Sequence, residues 1–357
     1  MNSNLLINLS FLIPQATGIS TYAKNIIPHL QKLNPTLLTP ENFPPYKNYP
    51  VPANMTPDQG SKGHLRRILW TQLQLPKLYK NLQSNLIFSP LPEAPIYTKS
   101  RYIVTVHDLI PLRFSKPFSR LNAYFRYYIP QILSQAEHII CDSKSTAEDI
   151  NKFYKINLDK TTVIPLAYDK NNFRDLNLPT SNYFLYIGRH DPYKNLHRLI
   201  EAFANLPNRP DYQLWISGPT DSSYTPELQA KIAELNLTES IKFIGYASYE
   251  KLPILINQAI ALVFPSLWEG FGLPVLEAMA CGTPVITSNV SSLPEVAGNS
   301  ALMVNPYNTA EITAAMHTVA TDTQQRSSLR EQGLIQASQF SWEKTGLETA
   351  KILHKYL

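Results

Sequence analysis

The strongest chemical signal in this chain is the stretch Pro265-Ser-Leu-Trp-Glu269-Gly270-Phe271-Gly272-Leu273-Pro274-Val-Leu-Glu277-Ala-Met-Ala-Cys-Gly282-Thr-Pro284. An apolar run ends there, a Gly-Phe-Gly turn follows, and Pro274 stands where it can begin a helix. Such a turn offers backbone N–H groups to an anion, reinforced by the helix dipole. The two glutamates, eight apart, fall on either side of the turn. Glu269 is placed for one end of a ligand and Glu277, expected in the first helical turn, for the other. A carboxylate accepts hydroxyl protons, so sugar hydroxyls are natural partners. Helix capping is the plain alternative for Glu277 and does not account for Glu269.

Three further positions carry chemistry. Gly188-Arg189 ends an apolar run, and Lys194-Asn195 opens the next helical pattern. A guanidinium fork and a mobile ammonium five residues apart across a turn can converge on one diphosphate, against the plain alternative of two solvated surface cations. His107-Asp108 sits at another run's end and suits acid–base work or hydrogen bonding to a polar substrate, although a lone histidine there is often structural. Gly18, before Ser20 and Thr21, is a single glycine ahead of a capped helix, where backbone can approach an anion. The chain has no G-x-G-x-x-G after its first strand and no G-x-x-x-x-G-K-[ST], which argues against dinucleotide and P-loop readings.

The elements that position these residues follow from periodicity. Near-continuous apolar runs at 5–12, 85–89, 102–107, 138–142 and 162–166, then at 183–188, 213–218, 241–245, 259–265, 284–288 and 301–305, suit strands buried on both faces of parallel sheets. Helical patterns fill the gaps, including 195–206, 310–319, 324–338 and 343–356. Alternating strands and helices imply α/β units, and two such series imply two doubly wound Rossmann-like domains facing across a cleft, with ligands beyond the strands' carboxyl ends. The expected division is 1–170 and 171–340, joined through the polar stretch 169–182, with 341–357 a terminal helix packing back toward the first domain. The proline-rich segment 35–57 reads as a long surface loop.

Composition narrows the classes. The 357 residues hold only 12 glycines but 29 prolines, so each glycine is informative. Two distant cysteines in apolar runs exclude a disulfide scaffold and a multi-cysteine metal site, and fit a reducing, cytoplasmic setting. No 18-residue apolar stretch suggests a spanning helix, and the N-terminus reads as a buried strand rather than a signal peptide. The net charge of +5 is unevenly held: residues 1–170 carry 19 basic and 10 acidic side chains, a net of +9, and the remainder a net of −4. That asymmetry points to an anionic partner. It concentrates at Lys62–Trp70, in a helix with Leu65, Ile68, Leu69 and Leu73 on one side, and at Arg113–Tyr128, where bases alternate with aromatics. Both patterns fit peripheral contact with an anionic bilayer, or ordinary helices whose apolar side packs on their own domain. No nucleic-acid-binding signature accompanies them.

The pattern Glu269-GFGLPVL-Glu277 with Gly188-Arg189…Lys194-Asn195 resembles the retaining glycosyltransferases of family 4, which have the GT-B fold. The likeness spans the second half, including Ser292-Leu-Pro-Glu295-Val-Ala-Gly298. In the first half it rests on Gly18 and His107-Asp108, where the family's double glycine is reduced to Thr17-Gly18. The resemblance implies that Arg189 and Lys194 hold the donor's pyrophosphate and stabilise the departing nucleotide. Backbone at Gly270, Phe271, Gly272 and Leu273 would meet the donor, Glu269 its sugar hydroxyls, Glu277 the ribose and His107 the sugar near the reaction centre, while Gly18 would let its loop close on phosphate. It implies anomeric retention with no metal and no cofactor. The stretches HDLIP and GRHDPYKN look most like bacterial mannosyltransferase-like members, so GDP-mannose is the favoured donor against a UDP-hexose, with a glycan or lipid-linked glycan as acceptor in surface polysaccharide synthesis. A GT-B epimerase, and a non-catalytic glycan-binding protein on the same fold, are the competing classes; a phosphorylase would need a pyridoxal-phosphate lysine, for which no candidate stands out.

Overall fold

The computed structural model describes residues 4–13, 18–115 and 119–357. The chain folds as two units. One contains the residues up to Leu166 together with Trp342–Leu357, the other Ala167–Ser341.

The first unit is built on seven parallel strands: β1 (Leu5–Asn8), β2 (Thr36–Thr39), β3 (Lys47–Pro50), β4 (Leu86–Ser89), β5 (Tyr102–Val106), β6 (His138–Cys141) and β7 (Thr161–Val163), in the order β3-β2-β1-β4-β5-β6-β7. Strands β1, β4, β5 and β6 are buried along their whole length, which is why they read as continuous apolar runs rather than alternating ones. β1 is shorter than its apolar run. It stops at Asn8, whose side-chain oxygen accepts hydrogen bonds from the N–H and hydroxyl of Ser10 and turns the chain out of the sheet. The segment 35–57 is not the surface loop expected from its prolines. It supplies β2, with Leu37 and Leu38 buried, then edge strand β3 and a short 3-10 turn at Ala53–Met55. Pro50 ends the edge strand, where its missing N–H disrupts no ladder.

The second unit carries β8 (Tyr183–Ile187), β9 (Gln213–Ser217), β10 (Ile241–Gly245), β11 (Ala261–Phe264), β12 (Val285–Ser288) and β13 (Leu302–Val304), all parallel, in the order β10-β9-β8-β11-β12-β13. In each sheet the winding direction reverses once, between β1 and β4 and between β8 and β11. Such switch points open a crevice beyond the strands' carboxyl ends.

The chain changes units after Leu166 rather than after 170. Phe173 is buried with its ring 5.7 Å from Tyr249, whose hydroxyl donates to Asp169, and the Leu176 N–H donates to Asn257. Residues just past the junction are therefore anchored to the second unit by packing that no composition shift marks. The helix Trp342–Tyr356 belongs to the first unit. Thr345 donates to the Pro165 carbonyl at 2.7 Å, the Tyr356 ring stacks on His138 at 5.4 Å, and Gly346 lies so close to His29 that a Cβ there would stand 2.5 Å from the histidine's own.

Candidate functional site

In the second unit the predicted residues gather at the β8/β11 switch point. β8 delivers Gly188-Arg189, and a 3-10 turn at Pro192–Lys194 leads to Asn195, which holds φ +63° ahead of the helix Leu196–Ala204. Lys194 thus sits on the turn before the helix rather than at its start. Asn195 is buried and donates to the carbonyls of Pro265 (2.9 Å) and Pro306 (2.7 Å), while the Leu267 N–H donates to the Tyr193 carbonyl. These bonds clamp the exit of β8 against the exit of β11. The result is a salt bridge between Lys194 Nζ and both Glu269 oxygens, at 2.7 and 2.9 Å, with both side chains largely buried. Lys194 also lies 5.2 Å from the centre of the Tyr193 ring and 5.4 Å from that of Phe264.

Arg189 is presented differently. Its side chain is mostly in solvent and donates to Asp191 at 2.9 Å. The five-residue spacing therefore places one cation in a walled niche and the other on an exposed rim, each already matched with a carboxylate. The exit of β8 is crowded on its other side: a Cβ at Gly218 would stand 1.9 Å from the Gly188 carbonyl oxygen, so β8 and β9 can end side by side only with glycine there.

The Glu269–Leu273 turn is held from behind by two serines. The Glu269 N–H donates to the Ser291 hydroxyl, and Ser292 donates to the carbonyls of Glu269 (3.0 Å) and Phe271 (2.8 Å). The Glu269 N–H is consequently taken rather than offered to a ligand. No described residue accepts from the N–H groups of Phe271, Gly272 or Leu273, and Gly272, at φ +110°, caps the helix Leu273–Ala280 so that these amides lead into its N-terminus. Glu277 is not in that helix's first turn, since the helix begins at Leu273, and so it caps nothing. It stands one turn in, no described residue donates to it, and burial pushes its carboxyl up to about 8. An acid this disfavoured in its charged form marks a place where a donor is missing.

In the first unit, His107 follows β5. Its Nδ1 faces Asp142 at 2.7 Å and its Nε2 faces the Pro90 carbonyl at 2.9 Å, while Tyr22 sets its ring edge-on at 5.0 Å. A carbonyl only accepts, so Nε2 carries a proton. Burial disfavours the charged ring, but the Asp142 charge and the two hydrogen bonds outweigh it and raise the His107 pKa. His107 therefore has both ring nitrogens committed, with Nε2 as a donor, and is not a free base. Gly18 begins the helix Gly18–Ile26, and nothing lies within 4 Å of where a Cβ would stand. The rest of the expected phosphate loop, including Thr17, lies outside the described residues.

The structure thus brings Lys194, Glu269 and the Phe271–Leu273 amides to one switch point, sets Arg189 on its rim and Glu277 one helical turn behind, and assembles His107 separately on the other sheet. Sequence reading did not assign roles to Asn195, Ser291, Ser292 or Asp142. Each acts through a partner 21 to 111 residues away, and nothing local sets them apart from the other polar residues of the turns that follow the strands.

Comparison with known proteins bears on these residues. The profile described as "Glycosyl transferases group 1" matches residues 169–335, and "Glycosyltransferase Family 4" matches 16–172. The O-antigen chain mannosyltransferase RfbU of Salmonella typhimurium is 32% identical over 258 residues, covering 71% of each chain. The O-antigen chain mannosyltransferase B of Escherichia coli is 32% identical over 265 residues, covering 70% of this chain and 69% of its own. Among solved structures, sucrose-phosphate synthase from Thermosynechococcus elongatus superposes with a TM-score of 0.79 at 20% identity, covering 99% of this chain and 98% of that one.

Proposed function

The chain belongs to the group 1 and family 4 glycosyltransferases and has their GT-B fold, and on that premise we propose that it moves a mannosyl residue from GDP-mannose to a glycan or lipid-linked glycan, with retention of anomeric configuration and without a metal. The sugar is argued from the two O-antigen mannosyltransferases that are each 32% identical to it. Surface-polysaccharide assembly at the cytoplasmic face of the membrane is the corresponding setting. The observation that carries the transfer reading is the Lys194–Glu269 pair beside the open Phe271–Leu273 amides.

Each residue has a task in that reaction. The bond between the sugar's anomeric carbon and the diphosphate oxygen breaks, and one from that carbon to an acceptor hydroxyl oxygen forms on the same face. The acceptor's proton passes to the departing diphosphate. Lys194, shared between Glu269 and the diphosphate, and Arg189, released from Asp191, neutralise the leaving charge, and the amides of Phe271, Gly272 and Leu273 add fixed dipoles. Glu269 accepts from the sugar hydroxyls while it anchors Lys194. Glu277 gains a ribose hydroxyl as the donor it lacks. His107 exchanges the Pro90 carbonyl for a sugar oxygen and donates from Nε2, and Gly18 leaves room for phosphate. A thermal-shift panel of GDP, UDP, ADP and their sugars tests the assignment, because ligand affinity converts directly into stability. GDP and GDP-mannose should raise the melting temperature most. Stabilisation by UDP compounds instead would overturn the donor, and turnover of GDP-mannose without any acceptor would overturn the transferase.

A further inference from the structure

The helix Gly60–Leu73 in the first unit is packed inside out. Its buried positions are Gly63, Arg67 and Thr71, while Leu65, Leu69 and Leu73 are 57%, 51% and 59% exposed. Two residues fix that rotation. A Cβ at Gly63 would stand 2.4 Å from the Thr56 carbonyl, so only glycine lets the helix approach. Arg67 makes a two-pronged bond to buried Glu93 at 2.6 and 2.8 Å and donates to the Met55 carbonyl at 2.9 Å. At 100° per residue, Lys62, Leu65, Arg66, Leu69 and Leu73 occupy an outward arc of about 100°, the proportions of an interfacial helix. The leucines thus do not pack on their own domain, the plain alternative for this helix.

The neighbouring segment 120–128 extends the same chemistry. The His64 ring meets Tyr124 at 4.9 Å and Gln72 bonds the Tyr128 hydroxyl, and beyond these contacts Leu121 and Tyr127 are exposed beside Arg120 and Arg126. No carboxylate occurs in residues 59–92 or 109–136, and Lys62, Arg66, Lys77, Lys80, Arg120 and Arg126 are all exposed. The first acid after the helix, Glu93, is consumed by Arg67.

We propose that this leucine stripe, with the cations around it, is the face by which the chain docks on an anionic lipid bilayer. It extends the cytoplasmic-face setting of the preceding section and does not depend on the donor. Apolar side chains exposed among cations suit acyl chains beneath acidic headgroups. A second copy fits poorly, since a two-fold contact would press like charges together.

The test is flotation of the full chain with vesicles of phosphatidylethanolamine and phosphatidylglycerol, against vesicles of phosphatidylcholine alone. The expected result is binding to the first and not the second, weakened by 0.5 M salt. The triple variant Leu65→Gln, Leu69→Gln, Leu73→Gln should lower partitioning on the order of 100-fold, and the pair Lys62→Glu, Arg66→Glu about tenfold. All five side chains are solvent-facing, so both variants should keep the wild-type melting temperature and its nucleotide-induced shift. Absence of wild-type flotation, or flotation indifferent to the leucines, would overturn the docking face. So would a concentration-dependent dimer that the triple variant abolishes, because a second copy would then cover the stripe. A chain that floats yet is stabilised by no nucleotide would refute the transferase reading and leave the docking face standing.

Discussion

Glu277 offers a test in which stability and ligand binding move in opposite directions. Its carboxyl is raised from 4.5 to about 8 by burial alone. Between those two values the folded chain holds a proton that the unfolded chain has lost, so stability falls as pH rises through the window and is level outside it. At 1.36 kcal/mol per tenfold change in acidity, the upper limit is about 5 kcal/mol. The side chain keeps some solvent contact, so about 2 kcal/mol is the working figure. Glu277→Gln, neutral at every pH, should match wild type below pH 4.5 and exceed it increasingly toward pH 8. There the second unit, residues 167–341, should melt about 5 °C higher. Above pH 8, where Glu277 is ionised, the same substitution replaces a carboxylate by a weaker acceptor for the ribose, and nucleoside diphosphate should there bind about tenfold more weakly. Differential scanning calorimetry from pH 4 to 9 and titration calorimetry read the two effects. A stability difference that does not change with pH, or a variant no more stable than wild type at pH 8, would refute the reasoning from burial. Unchanged nucleotide affinity would refute the ribose role.

Lys194→Ala should cut turnover by orders of magnitude and also lower stability by about 3 kcal/mol, because it strands the Glu269 carboxylate in a niche where it is only 10% exposed; Lys194→Met with Glu269→Gln should recover the melting temperature and none of the activity, as turnover assays and thermal melts will show. Asp142→Asn should lower the His107 pKa, since the Asp142 charge is what raises it against burial. Because the folded value lies above the unfolded one, the stabilisation from the His107 charge is lost as pH climbs through the folded value, so the wild type's advantage should shrink at alkaline pH in parallel melts. Arg67→Met should cost about 3–5 kcal/mol by leaving Glu93 buried and unpaired, measured by urea unfolding, and Glu93→Gln in the same chain should restore part of it.

Much of the fold was legible because parallel strands buried on both faces must be apolar throughout, and helices between them must be amphipathic. β4, β5, β8 and β11 announce themselves this way. β2 and β3 do not: they lie among prolines, and β3, half-exposed at the sheet's edge, has too few apolar positions to outweigh a loop reading. The site was legible in part. Glu269 and Lys194 were visible as residue types at strand ends, but their pairing was not, since 75 residues separate them and only the adjacency of β8 and β11 closes the gap.

The helix Gly60–Leu73 shows the limit most plainly. Its spacing determined that Leu65, Leu69 and Leu73 share a face, because 3.6 residues per turn admits nothing else. Which way that face points was settled by Gly63 against Thr56 and by Arg67 reaching Glu93 and Met55. The sequence by itself determined periods, charges and the residue types at strand ends, all of which are local. Only the tertiary structure decided orientation and partnership: which way the leucines face, which carboxylate holds Lys194, and that Glu277 stands half-buried without a donor. Those outcomes depend on groups far apart in the chain competing for the same space and the same hydrogen bonds.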